Sequence, residues 1–135
     1  MGKRNGVTLV ELVIVLIVVA ILAAAAVPIY RSLVHRAYEA EILAGLGAVQ
    51  TAQRLYHAQE DGWPTDKTAL EDEGFLSSDD FAEMSYSDYT DYSVVAAGDL
   101  PVSRWSNVSG KVPTTFPFSQ IDIDGEGDVT RTKVP

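Results

Sequence analysis

The sequence predicts an α+β protein: a long N-terminal α-helix, apolar in its first half and amphipathic in its second, packed on a small antiparallel C-terminal β-sheet. Three observations lead there. No charged residue occurs from Leu12 to Tyr30. Apolar side chains then recur at steps of three and four through Tyr56, the period of one helix face. Beyond Tyr86, short runs of β-branched and aromatic residues alternate with glycine-containing turns, the pattern of strands and hairpins.

The first element begins with a short basic stretch containing Lys3 and Arg4. Val7 to Tyr30 is 24 residues, about 36 Å as a helix, enough to cross a hydrocarbon core of about 30 Å. Lys3 and Arg4 place the N-terminus on the cytoplasmic side and the bulk of the chain outside. Arg31 and Arg36 on the far side weaken that asymmetry, but long following domains translocate largely regardless of charge. Glu11 interrupts the apolar pattern at its start. A carboxylate at the middle of a membrane helix is costly, whereas in the first turn it reaches the interface and meets the positive end of the helix dipole. On these grounds Glu11 is either an interfacial helix cap or a group with a partner.

Lys3-Arg4-Asn5-Gly6-Val7-Thr8-Leu9-Val10-Glu11-Leu12, followed by an alanine-rich apolar run that ends in Val27-Pro28, resembles the class III signal of type IV prepilins and pseudopilins. The resemblance implies a leader peptide over residues 1–6, removed by a prepilin peptidase between Gly6 and Val7, with N-methylation of Val7. The family most often has phenylalanine after the cut, and this chain has Val7. It also implies that Glu11 neutralises the new amine of a neighbouring subunit during assembly. A paired carboxylate in an apolar bundle is tolerable and fixes register, while an unpaired one is costly. Loss of the leader takes two positive side chains off the formal charge of −9, leaving −11. An ordinary signal peptide is the alternative, because Ala23-Ala24-Ala25-Ala26 supplies small residues before Val27. Glu11 before the apolar run and a helical pattern that continues past the alanines count against it. Pro28 lacks an N–H and is the expected helix kink. The resemblance implies that Ala20 to Pro28 loses helical order in some filaments, although alanine favours helix.

The second half of the helix, residues 31–61, places Tyr38, Ile42, Leu46, Val49, Ala52 and Tyr56 on one face. Gly45 and Gly47 each cost about 1 kcal/mol against alanine and suggest a close approach by the sheet or a neighbouring subunit. The helix is expected to stop near Asp61-Gly62, with Pro64 preventing its resumption. Asp61-Gly62-Trp63-Pro64 and the run Ala69 to Leu76 again resemble pilins, which implies a short helix ending in a Gly-aromatic-Leu step within a connecting loop over residues 62–85.

Residues 86–135 read as antiparallel sheet. The expected strands are Asp88 to Ala96, Val102 to Val108, Gln120 to Ile123 and Val129 to Val134, with turns at Gly98-Asp99, Ser109-Gly110 and Asp124-Gly125. Trp105, Phe116 and Phe118 are expected core residues. Asp122, Asp124, Glu126 and Asp128 surround a glycine turn and are the weak candidates for calcium, a cation that takes several oxygen ligands. The EF-hand spacing is incomplete, and a plain hairpin on Asp124-Gly125 explains the same residues. No cofactor is therefore expected. Asn107-Val108-Ser109 fits the minimal glycosylation sequon.

The composition removes other classes. There is no cysteine, and His35 and His57 are the only histidines, so disulfide and thiolate-metal frameworks are absent. No nucleophile elbow, P-loop or dinucleotide fingerprint occurs, and the expected catalytic set is none. The acid concentrates after residue 59 and repels phosphate backbones, so no direct nucleic-acid binding is expected.

The expected function is that of a structural subunit of a type IV pilus, with homo-oligomeric filament contacts, a prepilin peptidase and the inner-membrane assembly machinery as expected partners. Membrane lipid surrounds the helix before assembly, and the surface filament is the final location. The alternatives are a pseudopilin of a type II secretion or competence system and a secreted soluble binding domain. The Asp-Pro-Trp-Gly-type element usual in major pseudopilins of type II secretion is missing here, which favours the pilus. The expected organisation is leader 1–6, apolar helix 7–30, amphipathic helix 31–61, loop 62–85 and sheet 86–135.

Overall fold

A computed structural model describes residues 6–77, 92–95, 101–106 and 112–135. Lys3 and Arg4, the turns at Gly98-Asp99 and Ser109-Gly110, and the sequon at Asn107 lie outside the described residues, as do the outer parts of the first two expected strands. The chain divides into two compact units, residues 1–36 and 37–135, and the elements run α1 (Leu9–Glu60), α2 (Lys67–Asp72), β1 (Tyr92–Val95), β2 (Val102–Ser106), β3 (Phe118–Ile123) and β4 (Val129–Lys133).

In the first unit α1 is a single apolar rod. Every valine, leucine and isoleucine from Val7 to Leu33 is exposed, from 42% at Val13 to 78% at Leu9. The helix continues through Pro28. It is the one described helix long and apolar enough to cross a membrane.

In the second unit the α+β fold is realised. Four strands form an antiparallel meander in the order β1-β2-β3-β4. Alternation along each strand sends Tyr92 and Val94, Ser103 and Trp105, and Ile121 and Ile123 inward. They meet Ile42, Leu46, Val49 and Ala52, the buried face of α1. Trp105 is fully buried, with Phe116 edge-on at 6.0 Å, and Phe116 in turn meets Phe118 and Tyr38 edge-on. A polar contact crosses this core: Ser103 Oγ donates to Gln53 Oε1 at 3.1 Å.

Gly45 and Gly47 have different surroundings. A Cβ on Gly45 would lie 2.5 Å from the Tyr92 ring, whereas one on Gly47 would meet nothing within 4 Å. The close approach inferred from both glycines is thus made inside the chain at Gly45 alone.

Two turns differ from expectation. Helix α1 stops at Glu60, and the left-handed residue beyond it is Asp61 (φ 52°), not Gly62. Aspartate tolerates that conformation better than most residues, and its N–H still donates to the His57 carbonyl at 3.1 Å. The β3–β4 connection is a five-residue loop, Asp124 to Asp128, rather than a tight turn on Asp124-Gly125, and its left-handed residue is Gly127 (φ 99°).

Between helix and sheet, α2 is closed at both ends. Asp66 accepts from the Ala69 N–H at 3.0 Å as N-cap. At the other end Gly74 (φ 76°) donates to the Glu71 carbonyl and Phe75 to that of Leu70, a Schellman motif. It directs Leu76 into the core and Phe75 against Tyr56, edge-on at 5.7 Å.

Candidate functional site

The helix start is the first place where chemistry gathers. Gly6, Val7 and Thr8 precede α1 and are exposed. Thr8 is its N-cap: the Thr8 Oγ1 accepts from the Glu11 N–H at 3.2 Å. Glu11 returns the bond, its Oε2 accepting from the Thr8 N–H and the Thr8 hydroxyl, each at 2.8 Å. This reciprocal arrangement is a capping box. It satisfies N–H groups that have no partner at a helix start, in the turn where the dipole favours a carboxylate. Among the described residues Oε1 of Glu11 accepts no bond. One oxygen of the carboxylate therefore holds the helix end and the other is left without a hydrogen bond among the described residues.

Gly6 is not required by packing within the chain, because a Cβ there would meet nothing within 4 Å. Downstream, Pro28 lines an open groove with Ile29, Ser32, Leu33 and Arg36.

The acidic loop is the second place. Asp124 Oδ1 accepts from the N–H groups of Glu126, Gly127 and Asp128 at 3.0, 2.9 and 2.8 Å. Its carbonyl accepts from Gln50 Nε2 at 2.8 Å, which ties the loop to α1. One oxygen of the Asp124 carboxylate is thus engaged in shaping the loop. Asp122 is drawn away from Asp124 onto the outer face of the sheet. There Arg104 grips it with two bonds of 3.0 Å, and Gln120 Nε2 donates to it at 2.8 Å. That carboxylate raises the pKa of the Arg104 guanidinium above its ordinary value. Glu126 and Asp128 are exposed. Among the described residues no three acidic, histidine or cysteine side chains come together as a metal site.

Several of these contacts were not read from the sequence. The Thr8-to-Glu11 spacing of a capping box was legible, since Ser/Thr followed three residues later by Glu before an apolar run is its signature. Arg104 with Asp122, Glu39 with Arg131, and Gln53 with Ser103 have no local signal, because each depends on tertiary register.

Comparison with known proteins fits this geometry. A family model, the prokaryotic N-terminal methylation motif, matches residues 1–27. The type IV narrow pilus major component PilA5 of Thermus thermophilus is 32% identical over 104 residues, covering 71% of this chain and 90% of that protein. The fimbrial protein EcpC of Eikenella corrodens is 36% identical over 66 residues, covering 49% of this chain and only 43% of that relative. No solved structure matches significantly. A methylation motif ending within the apolar helix, and a pilus component matched over nearly its whole length, lead to one conclusion: the chain belongs to the type IV pilin family, a family of structural subunits rather than enzymes.

Proposed function

We propose that this chain is a filament-forming subunit of a type IV pilus. A prepilin peptidase cuts it between Gly6 and Val7, Val7 is methylated, and the subunit polymerises through α1 after residing in the inner membrane. The observation that carries this reading is an exposed apolar rod from Val7 to Leu33 whose single charge before Arg31 is Glu11. Lipid satisfies such a surface before assembly, and copies of the same helix satisfy it afterwards. Both matched relatives are described as pilus or fimbrial proteins, which supports the pilus over a secretion pseudopilin.

Glu11 has a double duty in this reading. Its Oε2 keeps the helix end closed through Thr8, while Oε1 receives the Val7 amine of a neighbouring copy. Glutamine at this position preserves the cap and loses the charge. Glu11→Gln should therefore be cleaved, insert and accumulate in the membrane as wild type does, yet enter fibres poorly. Comparing membrane and sheared-fibre fractions checks this, and equal recovery in fibres would show that apolar packing alone drives assembly. Intact mass of the fibre subunit should correspond to a start at methylated Val7. A start at Val27 would instead support an ordinary signal peptide. Since nothing among the described residues meets a Cβ at Gly6, loss of cleavage in Gly6→Ala would be assigned to the peptidase and not to misfolding.

A further inference from the structure

Charge is divided unequally along this chain. After removal of residues 1–6, the stretch 7–36 carries Arg31 and Arg36 against Glu11, and the free amine adds a further positive charge. Residues 37–135 carry six basic and eighteen acidic side chains, a formal charge of −12. Bringing many copies of the acidic unit side by side is repulsive, and cations elsewhere on each copy can offset that.

The arginines differ in what they do. Both sheet arginines are occupied within the chain, Arg104 by Asp122 and Arg131 by Glu39. Arg31 and Arg36 are exposed and, among the described residues, form no ion pair. Each stands at the rim of an open apolar groove on α1, Arg31 beside Val27 and Tyr30, Arg36 beside Ile29 and Leu33. Their stems can lie on that apolar surface while the guanidinium groups reach outward. They also sit on the non-cytoplasmic side of the span, where the bias of membrane proteins runs against cations.

We propose that Arg31 and Arg36 form a cationic collar that receives the acidic unit of a second copy, offsetting repulsion between acidic units in the fibre. The collar rests on the filament reading of the chain. Exposed acids suited to the contact cluster where α1 ends and α2 begins and ends: Glu60, Asp61, Asp66, Asp72 and Glu73. Guanidinium groups fit such a surface because each offers five donors in a planar fork.

The test compares fibres of the wild-type protein, the Arg31→Gln/Arg36→Gln variant and the charge-preserving Arg31→Lys/Arg36→Lys variant. Sheared fibres are held in mild detergent at about 0.01 M and about 1 M salt, where screening lengths are about 30 and 3 Å, and the subunit remaining in fibres is measured. At low salt the glutamine variant should retain about fivefold less subunit than wild type, the scale of two exposed ion pairs. The lysine variant should hold most of the wild-type level, and the difference should shrink toward none at high salt. A deficit independent of salt would overturn the collar, because packing of the stems would then be the cause. So would equal retention at both salts, or a glutamine variant that fails to accumulate in the membrane, which would assign the arginines to lipid headgroups. Absence of fibres from the wild-type protein would overturn the filament reading and the collar together, whereas the other three outcomes leave that reading standing.

Discussion

At Gly45 the backbone of α1 lies against the ring of Tyr92, which is itself 2% exposed. A methyl group placed 2.5 Å from that ring must displace the ring or the elements that carry it. Overpacking of this kind costs about 1–3 kcal/mol, more than the roughly 1 kcal/mol of helix propensity that alanine returns. Gly45→Ala should therefore lower the thermal midpoint of the folded unit. Gly47→Ala, with open space around it, should raise stability by about 0.5–1 kcal/mol. Thermal unfolding of the two variants checks both signs, and equal shifts would show that propensity governs both sites. The sequence made both glycines conspicuous and could not separate them, because the difference is a single contact with a residue 47 positions away. The spacing of Gly6, Val7 and Glu11 is a local pattern that needs no such contact to be read. The cap on Thr8 was equally local.

Elements with a strong period were readable and their junctions less so. The amphipathic half of α1 repeats its apolar residues over about five turns, and β1, β2 and the end of β3 alternate inward and outward side chains, so each pattern survives its surroundings. The β3–β4 loop does not behave in that way. Asp124-Gly125 looks like a two-residue turn, but the Asp124 carboxylate gathers three successive N–H groups and draws the loop out to Asp128. Replacing that carboxylate leaves those groups to water and loosens a loop also anchored by Gln50. Asp124→Ala should cost about 1–2 kcal/mol in denaturant unfolding, the scale of hydrogen bonds to a charged group. Because no three acidic side chains come together among the described residues, we expect calcium to move the midpoint of the wild-type protein little. A large calcium-dependent rise would make the loop a metal site.

On the scale of the molecule, residues 37–135 hold the entire buried cluster of the described structure, while the apolar helix contributes exposed surface. A chain beginning at Arg31 should accordingly be soluble and monomeric in sedimentation, kept apart by its acidic surface. It should show mixed helix and sheet by circular dichroism. An all-helical spectrum would remove the sheet, and self-association would mean that the second half of α1 suffices for contact between copies. The sequence places a change of hydropathy and charge near Arg31, and the compact units divide after Arg36. Sequence reading did not recover how the sheet is fastened to the helix, since Arg131, Asp124 and Ser103 find Glu39, Gln50 and Gln53 only once the strands are in register.

Those fastenings have a mechanical meaning. Glu39 and Gln50 hold β4 and the β3–β4 loop at points eleven residues apart on α1, about 16 Å along its axis. A pull directed along the helix would load both ties in shear, together with the buried face between them, instead of peeling the sheet away one contact at a time. Shear shares a load among bonds that peeling would break in turn. If the chain polymerises through α1 as proposed, the C-terminal hairpin acts as a splint on that helix when the fibre is pulled.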